Sequence, residues 1–296
     1  MKRLGIIVIL LLTFSLTLQA QNGWMKRLGG PLNDGGFEIH RKSDGNFQVW
    51  GRCRDSNDWY YLGWALELDE AGGVLLSRKF SGTGTLSGGA YDPDGSWVFF
   101  DSGTPGYAVK LSSTGSKVWA KALRGASLTD RGRWSGGTTV SSGGYIGIGG
   151  WEYQASDYKS TIAKLNTDGS FVWKYTIGLS GTDDWPVDVT ETTDGNFVFI
   201  NKMPGDYIMA TKISNTPSTV WRKAYQGSGH DYPQSVTPTA DGGVIIAGFQ
   251  TASGTEASDR DYMLLKLDSS GNLDWNTRGG GTDRDEFFYA EQTADG

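Results

Sequence analysis

Four aspartates, Asp34, Asp184, Asp231 and Asp285, each stand ten positions before the aspartate of an Asp-Gly pair. Carboxylates recurring at a fixed offset could line one mouth of a channel and bind a cation or the hydroxyls of a sugar. The same side chain can instead close a turn by accepting a nearby backbone N–H. The turn-forming role is the expected one, because two further copies have Gly84 and Gly132 at this position, and Asp130 is displaced by two. A metal centre built by repetition is therefore not expected.

Aromatic residues gather at the same places. Trp134, Trp185, Tyr232 and Phe287 lie at or near this position in successive copies, with Asp184 and Asp231 directly before two of them. Flat rings beside Asp suit carbohydrate, whose CH-rich face stacks on a ring while its hydroxyls find acceptors. Filler between packed sheets is the competing role. These six residues form the candidate ligand-binding set, and Trp59 with Tyr60 and Trp151 with Tyr153 are further aromatic pairs elsewhere.

No catalytic residue is assigned and no cofactor is implied. The chain has two histidines, His40 and His230, and no HExxH, GxSxG or paired-cysteine motif. His230 beside Asp231 reads as a solvated turn. Glycoside cleavage needs two carboxylates ~5 to 10 Å apart, and nothing in the spacing singles out two. The stretches NTDG at Asn166 and DPDG at Asp92 lack the acidic spacing of a calcium loop and read as hairpin turns.

The elements that position these residues recur. Trp24, Trp119, Trp173, Trp221 and Trp275 each open a similar phrase that leads to a glycine, and Leu76 stands where a sixth Trp belongs; from Leu76 the steps are 43, 54, 48 and 54 residues. A second column, Lys110, Lys164, Lys212 and Lys266, steps by 54, 48 and 54. Two columns in step mark a repeated supersecondary unit. Each unit holds a strand, an Asp-Gly or Gly-Gly turn, a β-rich run such as FVFINKM, the KLx strand and the Trp strand. The fifth place of the β-rich run is Gly51, Asp101, Gly149, Asn201 or Gly248, as at a bulge or a close backbone approach.

Four antiparallel strands repeated at this pitch predict an all-β fold, a β-propeller of four-stranded blades. The expected blades span about 36–79, 88–123, 136–177, 187–225 and 233–278, with a partial sixth at 285–296 and a Trp24 strand ahead of the first. That count predicts five complete repeats in an incomplete, truncated ring. The Trp column is expected to pack between blades, since Leu76 can replace the ring.

The succession KLDxxG, Trp, GGxxxD, TxDGG and a β-run ending in Gly resembles the secreted repeat propellers of Gram-negative bacteria that carry a C-terminal sorting signal. The resemblance implies export and surface display or release rather than a reaction. The glycine turn followed by Trp is also similar to quinoprotein-type propellers, but the match stops there and supports no quinone.

The chain begins MKRLGIIVILLLTFSLTLQAQ, two cations and an apolar run too short to span a bilayer, then Ala20. This predicts a signal peptide at 1–20, no membrane span after its removal, and a secreted, cell-surface or periplasmic protein. Removing it takes away Lys2 and Arg3 and no acid, so the net charge moves from −6 to −8. With a pI near 5.0 and no basic block, nucleic acid is not an expected partner. Cys53 is the single cysteine and is expected to be a buried thiol in a strand. The functional expectation is a non-catalytic binding or scaffold module that presents loops to a glycan or protein. A polysaccharide hydrolase or lyase and a structural spacer are the alternatives. Intact-mass measurement of the exported protein should show a chain beginning at Gln21.

Overall fold

The computed structural model describes residues 35–42, 44–54, 61–80, 86–92, 94–101, 106–123, 133–154, 157–178, 182–227, 229–251 and 260–293. The expected signal peptide, Trp24, Asp34, Trp59, Tyr60, Gly84, Asp130 and Gly132 lie outside them, as do the side chains of His40, Trp151 and Tyr153. The described chain is all β, five sheets of four antiparallel strands in chain order. Blade 1 holds β1 (Gly35–Arg41), β2 (Phe47–Arg54), β3 (Tyr61–Leu68) and β4 (Val74–Phe80), and blade 2 holds β5 (Leu86–Tyr91), β6 (Trp97–Asp101), β7 (Tyr107–Leu111) and β8 (Lys117–Ala122). Blade 3 comprises β9 (Arg133–Thr139), β10 (Tyr145–Gln154), β11 (Asp157–Leu165) and β12 (Phe171–Ile177). Blade 4 comprises β13 (Trp185–Glu191), β14 (Phe197–Met203), β15 (Tyr207–Ile213) and β16 (Thr219–Tyr225); blade 5 has β17 (His230–Pro238), β18 (Val244–Thr251), β19 (Arg260–Leu267) and β20 (Leu273–Gly279). The first strands of successive blades stand side by side, which makes the described residues five blades of a β-propeller.

The apolar core lies between blades. One buried cluster joins blades 1 and 2 through Trp50, Ala65, Trp97 and Phe99, and another joins blades 2 and 3 through Phe100, Trp134 and Tyr145. Ile146 and Ile148 meet Phe197 and Phe199 between blades 3 and 4, and Ile200 and Ile208 meet Ile246 and Leu265 between blades 4 and 5. No sheet can bury its own face, so each blade needs a neighbour. At the centre, blades 2 to 4 come close to backbone contact. A Cβ on Gly88 would lie 2.9 Å from the Gly136 Cα, and one on Gly136 would lie 2.9 Å from the Asp188 Cα.

The half-buried column residues Leu76, Trp119, Trp173 and Trp221 each pack on the cluster shared with the following blade. Two of them make the same contact. Trp119 Nε1 donates to the Thr167 carbonyl at 3.0 Å and Trp221 Nε1 to the Ser269 carbonyl at 3.1 Å, each in the turn between third and fourth strands of the next blade. Each indole lies against the glycine of that turn. A Cβ on Gly169 or Gly271 would sit 2.9 or 3.0 Å from the ring, and both residues have positive φ, +79° and +75°. The fourth blade's turn, SNTPST, has no glycine, and Trp173 keeps only the ring contact that Trp119 also makes: Trp173 lies 6.1 Å from Phe197 and Trp119 5.8 Å from Tyr145, between centroids.

The Asp-Gly turns close the first hairpin by a three-residue loop, a type I turn ended by a left-handed glycine, not by a two-residue primed turn. In blade 4, Gly195 N donates to Thr192 O and Thr192 N to Asn196 O, both at 2.8 Å, with Gly195 at φ +73°. The small fifth-place residues also have a specific cause. In all five blades the ladder slips opposite them, and the extra residue lies on the first strand: Phe37, Ser87, Ser135, Val187 and Gln234. The bulge is therefore across from the glycine column and not within it. The described first strands begin up to three residues ahead of the expected blade starts because pairing continues past the slip.

The lysine column is tied to the turn column. Lys212 Nζ meets Asp194 at 2.8 Å and Lys266 Nζ meets Asp241 at 2.7 Å, with the ammonium groups buried and the carboxylates half exposed. Lys110 donates to Asp92 at 2.6 Å and to the Tyr145 hydroxyl at 3.0 Å. Burial raises the Tyr145 phenol to about 12, helped by Asp92. Blade 3 has Ser142 for the acid, and Lys164 turns to Asn215 Oδ1 at 2.8 Å. Blade 1 reverses the pair: Glu67 occupies the lysine position, and Lys42 from the turn meets it at 2.6 Å.

Three outcomes are expected. Trp221→Ala should cost about 2 kcal/mol in urea unfolding, less than a fully buried Trp, and Trp275→Ala, 45% exposed, well under half of that. Asp194→Ala, which strands a buried ammonium, should cost about 2 kcal/mol, whereas Ser142→Asp should stabilise blade 3 by up to about 1 kcal/mol. Lys266 and Thr239 hold the Asp241 carboxyl at about 2, below its ordinary 3.8. A depressed carboxylate stabilises the fold above 3.8, and that contribution disappears as pH falls towards 2, so unfolding free energy should decline across this window.

Candidate functional site

Consecutive antiparallel strands place both hairpin turns of every blade on one face and the remaining loops on the other. The loop face carries the aspartate column and the aromatic candidates. Asp184 and Asp231 are buried. Asp231 Oδ2 accepts from Gly227 N at 2.6 Å and its other oxygen lies 3.5 Å from Arg278, while Asp285 Oδ2 accepts from Gly281 N at 2.7 Å. Asp231 and Asp285 thereby fasten the chain where it passes from one blade to the next. Burial raises the Asp231 carboxyl, opposed by the Gly227 amide and Arg278.

The residues after these aspartates alternate in direction, as a strand requires. Trp185 and Tyr232, one position on, are partly exposed at the loop face. Trp134, two positions after Gly132 in the copy that lacks the aspartate, is wholly buried against Phe100, 5.1 Å between centroids. It is packing material between blades 2 and 3 and no ligand can reach it. Phe287 shares that parity and is half buried, stacked on Tyr262 at 4.5 Å.

Trp185 and Tyr232 belong to neighbouring blades and are joined by a cation. The Lys202 ammonium lies 5.0 Å from the Trp185 ring and 4.1 Å from the Tyr232 ring. Lys202 pairs with Asp206 at 3.0 Å, and Asp206 also bonds His230 Nδ1. Burial would raise the Asp206 carboxyl, but Lys202 and His230 together hold it below the ordinary carboxylate range. The ladder continues: Tyr232 stacks on Phe249 at 4.8 Å with the planes 11° apart, and the Arg260 guanidinium sits 4.5 Å over Phe249 and pairs with Glu286.

No protein-family model matches the chain, and no curated protein matches it. Among solved structures it is similar to a protein of unknown function from Bacteroides caccae, at TM-score 0.47 and 12% identity, over 79% of this chain and 96% of that one.

The structure thus brings Trp185, Tyr232 and Asp231 together at the junction of blades 4 and 5 and leaves Trp134 in the core. Lys202, Asp206, Phe249 and Arg260 belong to the same cluster and were not singled out by motif. Register would have found two of them, since Lys202 pairs with Trp185 and Phe249 with Tyr232. Among the described residues, no group of three His, Cys, Asp or Glu side chains could hold a metal ion.

Asp231→Asn keeps an acceptor for Gly227 and removes a buried charge. With its folded-state pKa raised above 3.8, ionised Asp231 weakens the fold as pH rises. The wild type should therefore lose more stability than the Asn variant between pH 4 and pH 7, as ~1 kcal/mol differences in urea unfolding can show.

Proposed function

We propose that this chain is an exported, non-catalytic binding module that presents the loop face of its propeller to a glycan. The observation that carries the reading is the pairing of Trp185 and Tyr232, two partly exposed rings on adjacent blades, bridged by Lys202 and flanked by Asp206 and His230. Both rings stand on strand residues whose neighbours Asp184 and Asp231 are buried, so the platform is held rigidly before any ligand arrives. Apolar faces for sugar CH groups and polar edges for hydroxyls lie side by side, the composition of a carbohydrate surface. Export rests on the cationic, apolar leader before Ala20. The partial sixth repeat belongs to the same reading: residues 285–293 lie on blade 5 through bonds from Thr237 Oγ1 to Ala290 O at 2.7 Å and from Ala240 N to Gln292 Oε1 at 2.8 Å. The second repeats the position of Ser141 N to Glu191 Oε2, which joins blade 3 to the first strand of blade 4.

A glycan-array screen followed by titration calorimetry tests the binding role. Trp185→Ala and Tyr232→Ala should each weaken binding about tenfold, or about 1.4 kcal/mol, with the urea midpoint little changed. Val118→Ala, on an exposed outer strand, should leave binding unaltered. Absence of glycan binding, or binding indifferent to both ring deletions, would contradict the proposal.

A further inference from the structure

Among the described residues, Asp206 is the one non-glycine residue with positive φ, at +60°. It ends the loop between β14 and β15. Asp206 N donates to Met203 O at 3.0 Å across Pro204 and Gly205, and Gly205, at φ +86°, takes the third place of a type II turn. An aspartate tolerates the left-handed conformation that follows, but glycine takes it at no steric cost. The backbone of this turn therefore does not call for a side chain, and what the aspartate adds is its carboxylate.

That carboxylate spans the junction of blades 4 and 5. Its Oδ1 meets Lys202 Nζ at 3.0 Å and its Oδ2 bonds His230 Nδ1. The Asp206 carbonyl accepts from Asp231 N at 3.0 Å, so main chain and side chain both hold the start of β17, directly before Tyr232. Lys202 stands opposite Trp185 in the β13–β14 ladder, yet its ammonium lies nearer the Tyr232 ring of the next blade. A lysine stem has many rotamers, and a cation beside one partly exposed ring gains less than the freedom that fixing the stem removes. The rings alone hold the ammonium loosely. A carboxylate on a rigid turn holds it by a charge-assisted bond from a set direction.

We propose that Asp206 is the positioning residue of the loop-face site, fixing the Lys202 ammonium between Trp185 and Tyr232 so that a bound sugar meets a donor of set direction beside the rings. The identity of the ligand rests on the glycan reading above; the position of Lys202 does not. One of the three ammonium N–H groups goes to Asp206, and the other two can serve a sugar hydroxyl or ring oxygen. A flat ring stacks on many sugars alike, whereas a donor held at one place beside it selects those that set an acceptor there. Asp206 thereby acts on specificity through Lys202.

Proton–carbon NMR of the full chain reads this without any ligand. Protons held against the face of an aromatic ring resonate upfield, so the Lys202 Hε signals should lie upfield of those of the exposed Lys117. Asp206→Gly should move them to the Lys117 position and leave the urea midpoint little changed, because relief at φ +60° offsets the ion pairs lost. Asp206→Asn, which tolerates the same φ and keeps a neutral acceptor, should move them part of the way, and it serves alone if the glycine variant does not fold. Against a glycan found on the array, Asp206→Gly should weaken binding about tenfold. A merely structural role predicts the reverse, a lower midpoint with the Lys202 signals in place. Lys202 signals that match Lys117 in the wild type, or that neither variant moves, would overturn the proposal whether or not a glycan is found. A glycan bound equally well by the wild type and Asp206→Gly would overturn it too. An array without a glycan ligand, alongside Lys202 signals that move as stated, would refute the glycan reading and uphold the role of Asp206.

Discussion

At two of its blade junctions the fold sets an indole from one blade against a glycine of the next. That contact is geometric before it is energetic. A ring can approach the turn only where no Cβ stands in the way, and glycine takes the left-handed conformation the turn imposes without the steric cost of a side chain. Trp119 on Gly169 and Trp221 on Gly271 show the arrangement complete, with the indole N–H satisfied by a carbonyl two residues before the glycine. Where the glycine is missing, in SNTPST, the Trp173 ring keeps its contact with Phe197, as Trp119 does with Tyr145. The two columns behave as one device, and because the core lies between blades, that device helps decide whether a blade is stable at all.

Within a blade the corresponding device is the ion pair at the hairpin face. A buried lysine on the third strand neutralises a carboxylate on the first turn, which locks the two hairpins of the sheet together. Blade 1 exchanges the signs by pairing Lys42 with Glu67, and blade 3 replaces the acid and recruits Asn215 from its neighbour. Such variants show that complementarity is retained where the identities of the residues are not. A buried ammonium without a partner would be costly, and each copy solves that problem in its own way.

Much of the architecture was legible because it repeats. The Trp and Lys columns, the Asp-Gly turns and the order of four strands all came from spacing. Spacing does not say which columns touch, so it leaves the lysines and the turn aspartates unpaired, although the reversed charges of Lys42 and Glu67 stand in the sequence. It also does not say which strand carries an extra residue, and the bulges lie across the ladder from the small residues thought to mark them. The candidate site was only half visible. Trp185 and Tyr232 were singled out, but Lys202, Asp206 and Arg260 occur in one copy each, outside any column. Trp134 was grouped with Trp185 although it stands one residue further from its reference position, and on a strand that single step turns a surface ring into a core ring.

The loop face at blades 4 and 5 departs from the repeat most strongly, with a lysine between two rings and a histidine-aspartate pair beside it. Such departures are where a repeated scaffold acquires individual chemistry, since the shared columns are committed to holding blades together. The central claim is that the ring and the glycine act as one unit, and a double-mutant cycle on Trp221→Ala and Gly271→Ala in urea unfolding measures it most directly. The left-handed strain that the Gly271→Ala change introduces is present with or without the ring, so it cancels in the cycle, and the clash with the indole remains. A coupling energy of about 1 kcal/mol or more is expected. Additive effects would contradict the account.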